Sequence, residues 1–198
     1  MKIAITGNIG GGKSTVSRIL ANILGAAMLD SDGICRHEMQ PGNQGFVQLV
    51  EIYGDRFVKH DGGLDRDGLR SAVFSDMSVK KNLEDILHPL VLQKIEQRGL
   101  ELEGKILIVE VPLLFEVGWQ DQFDVTVVVR AGEGKIIDRV VARDDLEAAQ
   151  VKKILDVQMP CGEKEMLADY TIDNSGTLAA TFGQLQWLAS SLKDKEKR

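Results

Sequence analysis

Residues 7–14 read GNIGGGKS, a match to G-x-x-x-x-G-K-[ST], and the flanking segments give that match its meaning. KIAIT at 2–6 is a short apolar run, as in a buried strand. VSRILANIL at 16–24 repeats its apolar positions at helical spacing. Between a strand and a helix, glycines at 7, 10, 11 and 12 let the backbone turn its amide groups inward above the positive end of the helix. Such an anion nest binds phosphate, with Lys13 in reach of the β and γ phosphates and the Ser14 hydroxyl able to ligate Mg²⁺.

The rest of the chain supplies a fold around this loop. Ala26–Leu29, KILIVEV at 105–111, DVTVVV at 124–129 and YTIDNSG at 170–176 read as further strands, the middle two β-branched and apolar as in a central parallel sheet. GKIIDRVVARD, EAAQVKKILDVQ and residues 177–192 read as helices. Gly33 to about Arg98 contains helical stretches and no convincing buried strand; in its clearest stretch, KNLEDILHPLVLQKIEQR, Pro89 is expected to kink or divide the helix. Strands alternating with helices predict an α/β fold, a doubly wound, parallel five-stranded sheet flanked by helices with right-handed crossovers.

Composition narrows the function classes. With 43% hydrophobic and 27% charged residues over 198 positions, neither a disordered nor a fibrous chain is indicated. The net charge of -6, with no Lys/Arg run before the tail KDKEKR, predicts no nucleic-acid partner but allows a local cationic pocket for a small phosphorylated ligand. Cys35 and Cys161 lie far apart in no paired spacing, against a disulfide framework or structural zinc. The first residues lack a signal peptide's apolar region, and no apolar run approaches membrane-spanning length. The expected setting is cytoplasmic, without membrane association or an evident obligatory protein partner.

A phosphate loop alone does not separate kinases from GTPases, motors or nucleotide sensors. Residues 110–116 (EVPLLFE) and 170–176 (YTIDNSG) lack the GTPase signatures, and a ring ATPase is generally longer. Several motifs decide further. TGNIGGGKST at 6–15 is followed by LDSD at 29–32, DGGLDRDGL at 61–69, VF at 73–74 and HP at 88–89. PLLFE at 112–116, RVVAR at 139–143 and ADYTIDNSG at 168–176 complete the series. In this order and at these intervals they resemble the dephospho-coenzyme A kinase family over nearly the whole chain. Two positions depart from the common TGGIGSGKST: Asn8 stands for Gly and Gly11 for Ser.

The resemblance implies transfer of the γ-phosphate of ATP, with Mg²⁺, to the ribose 3′-hydroxyl of dephospho-coenzyme A. It implies a nucleotide-binding core over 1–32, 100–138 and 168–198, a helical substrate-binding insertion over 33–99 and a helical lid over 139–167. ATP would lie on Asn8, Ile9, Gly10, Gly11, Gly12, Lys13, Ser14 and Thr15. Asp32, past the second strand at the edge where doubly wound folds place ligands, becomes the base for the 3′-hydroxyl; the alternative is that it caps a helix opening at Gly33. Asp30 would orient Asp32 or a magnesium-bound water.

Arg139 and Arg143, four apart, share a helix face and would converge on phosphate; the alternative is a solvated face paired with Asp138, Asp144 and Asp145. Glu110 is either a magnesium-holding acid or a strand-end charge. Arg66, His88 and Glu116 are candidate substrate contacts, with packing or capping open for His88 and loop orientation open for Glu116. Lys164 reads more readily as a surface lysine. Asn174 borders the adenine or serves a turn.

Overall fold

A computed structural model describes residues 1–196, with side chains described through Lys193. Five parallel strands form one sheet: β1 (Lys2–Thr6), β2 (Ala27–Asp30), β3 (Leu107–Glu110), β4 (Val125–Arg130) and β5 (Tyr170–Asp173), in the order β2-β3-β1-β4-β5. Helix α1 (Lys13–Leu24) follows β1. Helices α2 (Ser31–Glu38), α3 (Gln44–Tyr53), α4 (Arg66–Ser75) and α5 (Met77–Glu101) lie between β2 and β3. Helices α6 (Glu133–Asp144), α7 (Ala148–Asp156) and α8 (Cys161–Leu167) lie between β4 and β5, and α9 (Leu178–Glu196) closes the chain.

The sheet forms because its three central strands, β1, β3 and β4, are apolar on both faces, as parallel strands must be when helices cover them. Ile3, Ile5, Ile108, Val125, Val127 and Val129 point to one side, where they meet Val16 and Leu20 of α1 and Leu185, Leu188 and Leu192 of α9. The intervening Ala4, Leu107, Val109 and Val128 are equally inaccessible to solvent. The observed register pairs Ile5 with Glu110 on one side of β3 and Asp30 with Glu110 on the other. The ends of the three strands are thereby level, at the edge where α1 begins.

The chain divides into two compact units, Met1–Asp30 with Gly99–Arg198, and Ser31–Arg98. The second has its own core, built from Met39, Phe46, Leu49, Phe57, Leu64, Leu69, Val79, Ile86 and Leu90. Its only extended pairing among the described residues is an isolated bridge between Val58 and Leu64.

Two local expectations are corrected. Pro89 does not divide its helix: α5 runs from Met77 to Glu101 with the proline inside, held by the buried Ile86, Leu90, Val91 and Ile95 around it. A proline removes one hydrogen bond and crowds one carbonyl, and tertiary packing of both half-helices outweighs that local cost. Helix α2 opens at Ser31 rather than Gly33, with Asp32 in its first turn. Asp32 is therefore not the residue that caps it. In the terminal tail KDKEKR, the side chains after Lys193 lie outside the described residues.

Candidate active site

The phosphate loop takes its shape from glycine. Gly7, Gly10 and Gly12 have φ of 138°, 71° and 94°, backbone angles that side chains other than glycine disfavour. At Gly7 there is also no room, because a Cβ would lie 2.2 Å from the Val129 carbonyl oxygen of the neighbouring strand. Gly7→Ala is therefore expected to cost at least about 2 kcal/mol of stability, the joint effect of backbone strain and a displaced strand. Denaturant unfolding measures it, and an unchanged midpoint would count against this loop geometry. Gly11 has no positive φ, but a Cβ there would lie 3.1 Å from the carbonyl oxygens of Asn8 and Val129, so the commoner Ser would need a small shift of the loop.

Lys13, the first residue of α1, curls back over the loop. Its ammonium donates to the carbonyls of Gly7 at 2.8 Å and Asn8 at 3.1 Å. Ser14 donates from its hydroxyl to Glu110 Oε2 at 3.0 Å. Burial pushes the Glu110 carboxyl above its ordinary range, and the charge of Asp30 acts in the same direction, while the Ser14 hydroxyl and Lys13 oppose it. Two carboxylates and a hydroxyl at one strand edge form a hard oxygen set of the sort that suits Mg²⁺.

Arg139 and Asn174 clasp the loop from the other side. The Arg139 guanidinium donates to the carbonyls of Gly10 (3.2 Å), Gly11 (3.4 Å) and Asn174 (3.0 Å). Asn174 is buried; its amide donates to the Gly11 carbonyl at 2.9 Å and its side-chain oxygen accepts from Thr181 at 3.0 Å. A Cβ on Gly12 would sit 2.1 Å from that Asn174 nitrogen. Asn174 thus supports the loop directly, more than a turn residue does.

The turn carrying Asn174 is held by Asp173. Hydrogen bonds from the Ser175 hydroxyl and amide, then from Arg130, lower its carboxyl from 3.8 to about 2. Because the folded value is the depressed one, the stabilisation is present above pH 3.8 and disappears as pH falls toward 2. With its side chain 37% exposed, it contributes no more than about 1 kcal/mol. Unfolding of Asp173→Asn should show that small deficit at pH 7 and converge on the parent protein near pH 2; a deficit that persists unchanged would refute it.

Arg143 does not join Arg139. It is 62% exposed and forms a two-pronged pair with Asp144 at 2.7 and 2.6 Å, the solvated pairing. Lys164 is the largest correction: instead of lying on the surface it is completely buried, with its ammonium 2.8 Å from Glu116 Oε1 and 3.2 Å from the Pro112 carbonyl. Glu116 also accepts from the Met159 amide at 3.2 Å, so in this structure it orients the loop after β3. In the other unit, Arg66 opens α4 and is exposed, His88 is half-buried within α5 just before Pro89, and Asp32 is exposed on α2.

The model of the family described as dephospho-CoA kinase matches residues 1–180. The chain belongs to that family. A dephospho-CoA kinase of Desulfotalea psychrophila is 39% identical over the full length of both chains. A Thermus thermophilus protein of known structure superposes with a TM-score of 0.84 at 33% identity, covering 97% of each chain. The dephospho-CoA kinase of Campylobacter jejuni superposes at 0.71 with 28% identity, covering 99% of this chain and 100% of that one.

Within this dephospho-CoA kinase family member, two participants escaped the motif reading. Gln158 accepts from the Ile9 amide at 3.0 Å and the adjacent Met159 carbonyl accepts from the Asn8 side chain at 3.3 Å. Neither residue lies in a phosphate-binding pattern. The available signal was Pro160, which stops the preceding helical run and so forces a turn at these two residues.

Proposed function

We propose that the chain uses ATP and Mg²⁺ to phosphorylate the ribose 3′-hydroxyl of dephospho-coenzyme A, with Lys13, Arg139 and Asp32 as its principal catalytic groups. The observation that carries the reading is the loop itself, whose glycine backbone, Lys13 ammonium and Arg139 guanidinium concentrate positive potential at the start of α1. Phosphoryl transfer needs mostly this kind of positioning and charge stabilisation, because no covalent enzyme intermediate is required.

In the proposed assignment, Asn8 to Thr15 hold the phosphates of ATP, and Lys13 and Arg139 turn from the loop carbonyls toward the γ-phosphate oxygens as charge develops there. Asp32 takes the proton of the 3′-hydroxyl. Ser14, supported by Glu110 and Asp30, would hold Mg²⁺, which neutralises charge on the bridging and terminal phosphate oxygens when bound. The helices of 33–99, with Arg66 and His88, form the substrate insertion, and 139–167 forms a lid. Asn174 sits behind the loop, Arg143 contributes to nucleotide charge from the lid, and Glu116 serves through loop orientation. No helix among the described residues is long and apolar enough to cross a membrane, and Cys35 and Cys161 form no disulfide; we place the activity in the cytoplasm.

A coupled ADP-release assay across dephospho-coenzyme A, nucleoside monophosphates and shikimate tests the acceptor. Turnover with dephospho-coenzyme A alone is expected, and preference for another alcohol or acid would overturn the assignment.

A further inference from the structure

Between the phosphate loop and helix α8 runs a chain of polar contacts that the loop motif does not explain. It begins at Lys164, a fully buried cation on α8. A buried ammonium is costly unless it is paired and hydrogen-bonded, and here Glu116 takes its charge at 2.8 Å while the Pro112 carbonyl accepts a second bond at 3.2 Å. That same carbonyl also accepts from Thr6, the residue before Gly7. Glu116 passes the constraint back along the chain by accepting from the Met159 amide. The turn at 158–159 then touches the phosphate loop twice, through Gln158 to the Ile9 amide and the Met159 carbonyl to Asn8.

The contact at Asn8 belongs to this sequence in particular, because a glycine there would have no side chain to reach Met159. Asn8 is only 6% exposed, and its donor nitrogen faces the Met159 carbonyl. Ile9 reinforces the junction by packing against the small apolar cluster of Ile136, Val140 and Val151 from α6 and α7. The outer half of the loop is thus fixed by the turn between α7 and α8, whereas the inner half is fixed by its own glycines and by Arg139.

We infer that Gln158 and Lys164 are positioning residues for nucleotide binding: the Lys164–Glu116 ion pair anchors the α7–α8 turn, and Gln158 on that turn holds the outer half of the phosphate loop in its binding shape. A loop already shaped pays less ordering entropy when phosphate arrives. The inference rests on the loop being a nucleotide site, as proposed above, and not on which acceptor is phosphorylated.

The test is the equilibrium dissociation constant for Mg·ATP, measured by calorimetry, alongside kcat and both KM values. Gln158→Ala deletes one hydrogen bond at a solvent-near turn. It should weaken Mg·ATP binding about five- to tenfold, leave the KM for dephospho-coenzyme A within about twofold and keep a near-parental melting temperature. Lys164→Met should weaken Mg·ATP binding further and lower the melting temperature; if it fails to fold, Gln158→Ala decides. Unchanged Mg·ATP affinity in folded Gln158→Ala overturns the inference. So does tighter binding, which would mean that Gln158 competes with phosphate for the Ile9 amide. If the parent binds Mg·ATP but does not phosphorylate dephospho-coenzyme A, the acceptor assignment fails while this measurement still stands.

Discussion

Lys13→Ala is expected to lower turnover at least about 100-fold while leaving the protein folded, a loss equivalent to roughly 2.7 kcal/mol of transition-state stabilisation. The side chain is anchored at its backbone by the first turn of α1, and its ammonium is already held 2.8 and 3.1 Å from two loop carbonyls. Moving that charge onto phosphate oxygens exchanges neutral acceptors for charged ones, and bonds to ionised acceptors are about twice as strong. Since charge on the γ-phosphate oxygens grows along the reaction, most of the effect belongs in kcat, with a smaller rise in the KM for ATP. Steady-state kinetics on variant protein with an intact melting transition measures it. Near-parental turnover would remove this loop from the reaction.

Asp32→Asn should cost about 10² to 10⁴ in kcat, the usual worth of a positioned general base. Asparagine keeps the shape and an oxygen acceptor but cannot take the hydroxyl proton. Because Asp32 is exposed in the first turn of α2 and asparagine has nearly the same volume, the substitution opens no cavity in the core. The melting temperature should stay close to parental, and the KM for ATP should move little. A kcat within about threefold of the parent would reassign the base; Asp30 would be the next carboxylate to test, since it ends β2 two residues earlier.

Much of this site was legible as letters. The run KIAIT, the glycine spacing and the helical repeat of VSRILANIL place strand, nest and helix in that order, because each depends on local backbone preference and on the period of the apolar residues. The all-parallel sheet follows from strands apolar on both faces joined by helical stretches. Reading fails where local preference is outvoted. Pro89 reads as a kink or a division, yet Ile86, Leu90 and Val91 are buried on both sides of it and the helix is not divided. Lys164 reads as a surface charge, since lysine is seldom fully buried without a partner. Its partner lies 48 positions away by number, at Glu116 after β3, and no local pattern connects the two.

Arg139 and Arg143 show the same division within one helix. Their spacing correctly predicts a shared helix, and helical geometry alone assigns them equal standing. Only the folded chain distinguishes them: Arg139 meets the loop carbonyls and Asn174, while Arg143 finds Asp144 first.

By itself, the sequence determined the strand, nest and helix that make a phosphate site, the parallel class of the sheet and the family, since all of these are written in short-range pattern or motif order. Only the tertiary structure decided which cations face the loop, that Glu110 is pressed into a buried pair with Ser14, and that a lysine on α8 is buried against Glu116. Those depend on contacts between residues about 100 positions or more apart, or on a hidden charge finding its partner. Their energies are set by burial and distance, which exist only once the chain has folded.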